Sequence, residues 1–198
     1  GKKKLEIEPR SSVRIRMEAI GGQGAHSAGK ILAEAAVLQC GYTGNHFSSF
    51  GSEKRGTPVK SFVRFSVDQK PIRSASFIRD PNLLVIFHEQ MIATHPEVFW
   101  GMDSKTDLIV NTSKDPHELV FPVGMHPRWV ATVNATQLAR ESEGGLNGVM
   151  LGAMSLFVPE IPLDHLLTVL KKVFPKSESA FHAGRDSVRV KAEKPNQD

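Results

Sequence analysis

The sequence predicts an α/β protein, a three-layer α/β/α arrangement around a mixed, mostly parallel sheet, with a Rossmann-like N-terminal half. Three observations carry this. The strand-like residues 13–20, VRIRMEAI, run into GGQG and then into an amphipathic helical stripe. NLLVIF (82–87), DLIVNT (107–112) and RWVATVN (128–134) are short apolar runs of the kind buried on both faces of a parallel sheet. Helical patterns alternate with these strands.

Taken in order, residues 25–39 read as a helix. Ala28, Ile31, Leu32, Ala35 and Leu38 fall on one face, with Lys30, Glu34 and Gln39 left for water. Burying Ile31, Leu32 and Leu38 is worth roughly 1.5–3 kcal/mol each before ordering costs. Residues 43–58, TGNHFSSFGSEKRGTP, are rich in Gly, Ser and Asn and read as a long loop, functional or interfacial. Residues 59–67, VKSFVRFSV, alternate with period 2, which predicts an antiparallel or edge strand. Helices are expected over 135–142, 148–157 and 163–174. The last has a core face of Leu163, Leu166, Leu167, Leu170 and Phe174, and Lys171 and Lys172 where they suit the macrodipole. After Pro175 the chain turns polar, as a tail or docking arm does. The expected division is therefore an N-terminal extension (1–12), one domain (13–175) and a C-terminal tail (176–198).

The 198 residues are 40% hydrophobic and 23% charged, an ordinary globular composition with enough apolar material for one core. No apolar run approaches the roughly 20 residues of a membrane span. The opening GKKKLEIEPRSS lacks the apolar stretch of a signal peptide, and Leu5 stands where a myristoylation signal wants Ser or Thr. The single cysteine, Cys40, makes no internal disulfide and holds no iron–sulfur cluster or structural zinc alone. It reads as a small buried side chain in a cytoplasmic protein. The net charge is +4, but the basic residues are scattered and aromatics make up only 7%, without the interleaving of a base-stacking surface. Such charge suits an acidic partner subunit or a phosphorylated small molecule, not nucleic acid.

The glycine turn fits neither common nucleotide fingerprint. As a Walker A loop, GAHSAGKI (24–31) puts Ile31 where Ser or Thr must hold magnesium, and residues from 25 onward already carry the helical stripe. As a dinucleotide fingerprint it has Ser27 in place of the third glycine, and no acid evidently closes the second strand. A simpler device remains. A strand ends, glycines turn the backbone, and a helix begins with unpaired N–H groups and a positive dipole end, ready for an anion; Lys30 adds charge one turn on. The plain alternative is that the glycines only let the helix pack close to the sheet. The eight histidines form no His-x-His or i, i+4 pair, which argues against a metal site. His26, in the first helical turn, either touches a ligand or lies at the surface. No Ser–His–Asp set or carboxylate pair suggests bond-making by this chain alone.

Together, GGQGAHSAGKILAEAA, FGSEKRGTPVKSFVRFS, PNLLVIF, NATQLA (134–139) and NGVMLGAM (147–154) resemble the gamma subunit, or gamma domain, of the thiamine-diphosphate-dependent 2-oxoacid:acceptor (ferredoxin) oxidoreductases. The resemblance spans roughly 16–174. Asn82, where the family often has Asp, and FHEQ after the strand are departures. The resemblance implies a multisubunit enzyme that oxidatively decarboxylates a 2-oxoacid, usually to an acyl-CoA. Alpha, beta and ferredoxin-like subunits would hold thiamine diphosphate, magnesium and iron–sulfur clusters, and electrons would pass to ferredoxin or NAD. It further implies a coenzyme A phosphate near Gly21, Gly22, Gln23, Gly24 and Ala25, within reach of His26, with Lys54 and Arg55 adding charge or only pinning their loop. The alternatives left open are a stand-alone NAD- or nucleotide-binding α/β enzyme and a structural subunit whose glycine turn stays empty.

Overall fold

The computed structural model describes residues 4–21, 24–51, 57–143 and 145–193. Seven strands among them form one sheet in the order β2-β3-β1-β4-β5-β6-β7. These are β1 (Ser12–Ile20), β2 (Thr43–Phe50), β3 (Pro58–Ser66), β4 (Leu83–Ile86), β5 (Asp107–Asn111), β6 (Trp129–Val133) and β7 (Arg189–Ala192). The helices are α1 (Gly24–Glu34), α2 (Met91–Thr94), α3 (Ala135–Glu141), α4 (Gly145–Ser155), α5 (Leu163–Val173) and α6 (Glu178–Asp186).

The sheet is mixed, as expected, but its parallel part is confined to the centre. β1, β4, β5 and β6 pair in parallel, while β2–β3, β3–β1 and β6–β7 are antiparallel. The Rossmann-like opening is a split βαβ unit: β1 and β2 run the same way on either side of α1, with β3 inserted antiparallel between them.

The two faces are covered unequally. Val13, Ile15, Met17 and Ala19 of β1 join Val63, Val85, Ile109 and Ala131 against α1, α4, α5 and α6 in the main core. α4 is buried along nearly its whole length, from Gly148 to Ser155. On the other face a smaller cluster packs Leu84, Ile86, Leu108 and Val110 against Met91, Val98, Phe99 and Met102.

Three expectations are corrected. Residues 43–50 form an edge strand, not loop; no residue of β2 is fully buried, so the pairing rests on backbone bonds to β3 and leaves no apolar signature. Residues 176–193, expected as part of a tail or docking arm, are not a tail. α6 buries Ala180, Phe181 and Gly184 against the core, and β7 closes the sheet beside β6. Leu38 is 70% exposed, because Ala35–Gln39 wind as a π-helix and the wider turn rotates it off the core face. Cys40, at the end of that turn, is only half-buried, with Sγ 3.4 Å from His165 Nδ1.

The described part of the N-terminal extension, from residue 4, is tied down. Leu5 and Ile7 pack on the core, and Arg10 binds the nearly buried Glu160 through its backbone N–H (2.7 Å) and Nε (2.8 Å). At Asn82 the side-chain oxygen accepts the Arg14 N–H at 2.7 Å while the Asn82 N–H donates to the Arg14 carbonyl, a contact at the start of β4 that an Asp oxygen could make as well.

Candidate functional site: a cavity between two helix openings

β1 ends at Ile20, and Gly21 takes φ +58°, a left-handed conformation that suits glycine. Its N–H donates to the Thr57 carbonyl at 3.0 Å, which fixes the turn to the start of β3. α1 then begins at Gly24, whose missing Cβ leaves room beside Asn147 Oδ1; an added Cβ would stand 3.2 Å from that atom. A cavity of about 500 Å³ opens here, lined by Gly21 and Gly24, by His88 and Phe87 after β4, and by Gly145 and Asn147 in the first turn of α4. The openings of α1 and α4 thus meet at one cavity, beyond the C-terminal ends of the parallel strands β1 and β4. Each supplies N–H groups without intrahelical partners and a positive dipole end.

His88 and Asn147 give the cavity its side-chain chemistry. The Ile20 N–H donates to His88 Nδ1 at 3.0 Å, so the neutral ring carries its proton on Nε2. Burial lowers the affinity of His88 for a second proton, which keeps it neutral. Asn147 Oδ1 is buried without a partner among the described residues, an acceptor open to an N–H donor.

The site residues expected from sequence divide. Gly21 and Gly24 line the cavity. Ala25 is buried in the core and has only its backbone to offer. His26 turns the other way, toward β2: its Nδ1 is 2.8 Å from Ser48 Oγ, and its ring is 5.5 Å from Phe50 and 5.1 Å from His46. Gly22, Gln23, Lys54 and Arg55 lie outside the described residues. His88 and Asn147 escaped the sequence reading. Both stood in noted segments, FHEQ and NGVMLGAM, but only the sheet order brings them to the glycine turn.

Behind His26 a hydrogen-bonded chain runs from Ser48 Oγ to His46 Nε2 (3.0 Å) and on to the fully buried Ser61 Oγ (2.9 Å). Burial, with the His26 and Lys30 charges, lowers His46 to about 4. Unfolded, the same ring titrates near 6.5. The unfolded chain therefore takes up the proton first, and stability present above pH 6.5 is lost as the pH falls toward 4. Discounted because the ring is only half-buried, the expected loss between pH 7 and pH 5 is about 1 kcal/mol. Urea midpoints measured at the two pH values check this, and His46→Asn is expected to flatten the difference.

Against known proteins, residues 14–188 match the family model described as pyruvate ferredoxin/flavodoxin oxidoreductase. The chain is 35% identical over 164 residues to the Pyrococcus abyssi protein named pyruvate/ketoisovalerate oxidoreductases common subunit gamma, covering 82% of this chain and 86% of that one. The crystal structure of pyruvate oxidoreductase subunit PORC from Thermotoga maritima superposes with a TM-score of 0.77 at 26% identity, over 91% of this chain and 99% of that one. A 2-oxoglutarate:ferredoxin oxidoreductase from Magnetococcus marinus, solved with 2-oxoglutarate, coenzyme A and succinyl-CoA bound, shares the fold (TM-score 0.69, 21% identity) over 89% of this chain and 31% of that one. The matched span takes in every strand from β2 to β6 and the glycine turn between its two helix openings, and with it the chain belongs to the pyruvate ferredoxin/flavodoxin oxidoreductase family, as a gamma subunit of the 2-oxoacid oxidoreductases.

Proposed function

We propose that this subunit contributes part of the coenzyme A site to a cytoplasmic 2-oxoacid oxidoreductase. Companion alpha, beta and ferredoxin-like subunits hold thiamine diphosphate, magnesium and the iron–sulfur clusters, and electrons leave to ferredoxin or NAD. The observation that carries this is the meeting of the α1 and α4 openings at one cavity. Unpaired N–H groups from two helices, with both dipoles aimed at the same space, favour a phosphate or pyrophosphate. The site also offers the rest of coenzyme A an acceptor, Asn147 Oδ1, which has no partner among the described residues and matches the ligand's amide and amino N–H groups. At about 500 Å³ the cavity holds only a portion of so long a ligand, so the thiol end extends toward the companion subunits.

In this reading the chain binds and orients and makes no bonds. When bound, coenzyme A supplies the thiol that accepts the acyl group. Gly21 and Gly24 keep side chains out of the opening, the first-turn N–H groups hold the anion, and neutral His88 offers a donor without adding charge.

The test is Gly24→Asp in the assembled complex. An acid in the first turn of a helix favours the helix itself, so folding is expected to survive. The new carboxylate competes with the ligand's anion for the same N–H groups. The KM for coenzyme A is expected to rise at least tenfold, a loss of about 1.4 kcal/mol, while decarboxylation of the 2-oxoacid without coenzyme A stays unchanged. An unaltered KM would leave the subunit a scaffold with an empty turn.

A further inference from the structure

A second cleft lies across the sheet from the glycine turn. On that face the irregular segment 70–80 crosses β2, β3 and β1. Side chains of the strands hold it by its carbonyls: Thr43 donates to Lys70, Asn45 to Ser74, Arg64 to Ser76 and Phe77, and Arg14 to Asp80. Between this segment and residues 97–101 opens a cleft of about 570 Å³, walled by Phe62, Phe77 and Trp100, with Lys60 and Arg79 among its charged groups.

The cleft is built in advance. Arg16, only 5% exposed in β1, donates to the Ile78 carbonyl of one wall (2.9 Å) and to the Val98 and Trp100 carbonyls of the other (2.9 and 2.7 Å). One guanidinium thus clamps both walls to the sheet. Gly101, at φ +83°, lets the walls touch, because a Cβ there would collide with the Arg79 carbonyl. A preformed cleft loses little conformational entropy when filled.

What fills it is written in exposure and charge. Phe77 is 57% exposed and Trp100 65%, two large aromatic surfaces left to water beside an exposed arginine, the composition of a protein-interface hot spot. Glu18 is committed to Lys60 and Arg16 beneath the floor, and Asp80 to Arg14. That leaves Glu97 as the remaining acid of the cleft, against Arg79 and the exposed Lys70 and Arg73 of the crossing segment. The excess positive charge calls for an acidic occupant.

We propose that this cleft is the docking surface for an acidic segment of a companion subunit, which seats an apolar or aromatic side chain between Phe77 and Trp100 and lays a carboxylate against Arg79. The proposal rests on the reading of this chain as one subunit of an assembly.

The experiment co-expresses the full chain with the companion subunits of its own oxidoreductase and weighs the purified complex by native mass spectrometry. Phe77→Ser combined with Trp100→Ser is expected to cut the share of this chain found in the complex at least tenfold, and Arg79→Glu to do so at low salt, with its difference from wild type shrinking as salt is raised, and with far-ultraviolet circular dichroism unchanged. Should the variants fail to fold, a photo-reactive benzoylphenylalanine at position 77 of the otherwise native chain replaces them, and a cross-link to an acidic stretch of a companion is the expected result. Full incorporation of all variants, no cross-link, or a cross-link to a second copy of this chain overturns the docking surface. So does normal assembly with a raised KM for a small anionic substrate, which would mark a ligand pocket instead. A wild-type chain that enters no complex removes the subunit reading and the docking surface with it, an outcome distinct from all the others.

Discussion

Gly152→Ala and Gly184→Ala are each expected to destabilise the protein by about 3 kcal/mol or more, the cost of overpacking a site that cannot relax. These glycines sit where α4 and α6 cross. A Cβ at Gly152 would run into the Phe181 carbonyl and the Arg185 N–H, and one at Gly184 into the Val149 carbonyl. Every obstacle is backbone, so no rotamer change relieves the clash; the helices must part, and Phe181 and Val149 lose their burial. Thermal melts or urea midpoints of the two variants check this. Gly41→Ala provides the contrast, because a Cβ there meets nothing within 4 Å and only its φ of +75° opposes the change. A melting temperature for Gly152→Ala within a degree or two of wild type would show that the helices do not cross as closely as described.

Glu18→Leu is expected to be the costliest single substitution on the opposite face, about 3–5 kcal/mol, the usual loss when a buried ion pair is broken from one side. Glu18 is fully buried, accepts two hydrogen bonds from Lys60 Nζ at 2.8 and 2.9 Å, and lies 3.2 Å from Arg16 Nε. Burial pushes its carboxyl upward, and the Lys60 and Arg16 charges pull it back. The partners differ in what they lose without it. The Lys60 side chain is 31% exposed and can turn to water. Arg16 cannot, since it is buried and spends its donors on three carbonyls. Lys60→Met should therefore cost less, about 1–2 kcal/mol, because Arg16 still faces Glu18. Chemical denaturation of the two variants ranks them, and a larger loss for Lys60→Met would contradict the account. Replacing Glu18 and Arg16 together by apolar residues is not expected to restore stability, because the carbonyls of Ile78, Val98 and Trp100 would be left unpaired.

Both effects lie in parts of the chain where sequence patterns say least. The apolar runs behind β4, β5 and β6 are legible because a strand buried on both faces is mostly apolar; all five residues of β5 and of β6 are buried, and only Asp107, Asn111 and Thr132 among them are polar. The glycine turn is legible because a strand entering a helix at close quarters needs small residues and a left-handed step, which Gly21 supplies. β2 and α6 are not, since an edge strand can be polar on both sides and a short helix needs only a few small or apolar residues to dock.

The amino-acid order by itself therefore determined the α/β class, the central strands, the glycine turn at the head of α1 and the family to which they belong. Tertiary structure alone decided that the turn shares its cavity with Asn147 and His88, that His26 faces β2 instead, and that one buried arginine shapes a second cleft. The physical reason is range. Periodicity and turn chemistry act between residues a few positions apart and leave their mark locally, whereas Gly24 meets Asn147, and Arg16 the carbonyls of Ile78 and Trp100, only after the sheet order has brought distant segments side by side.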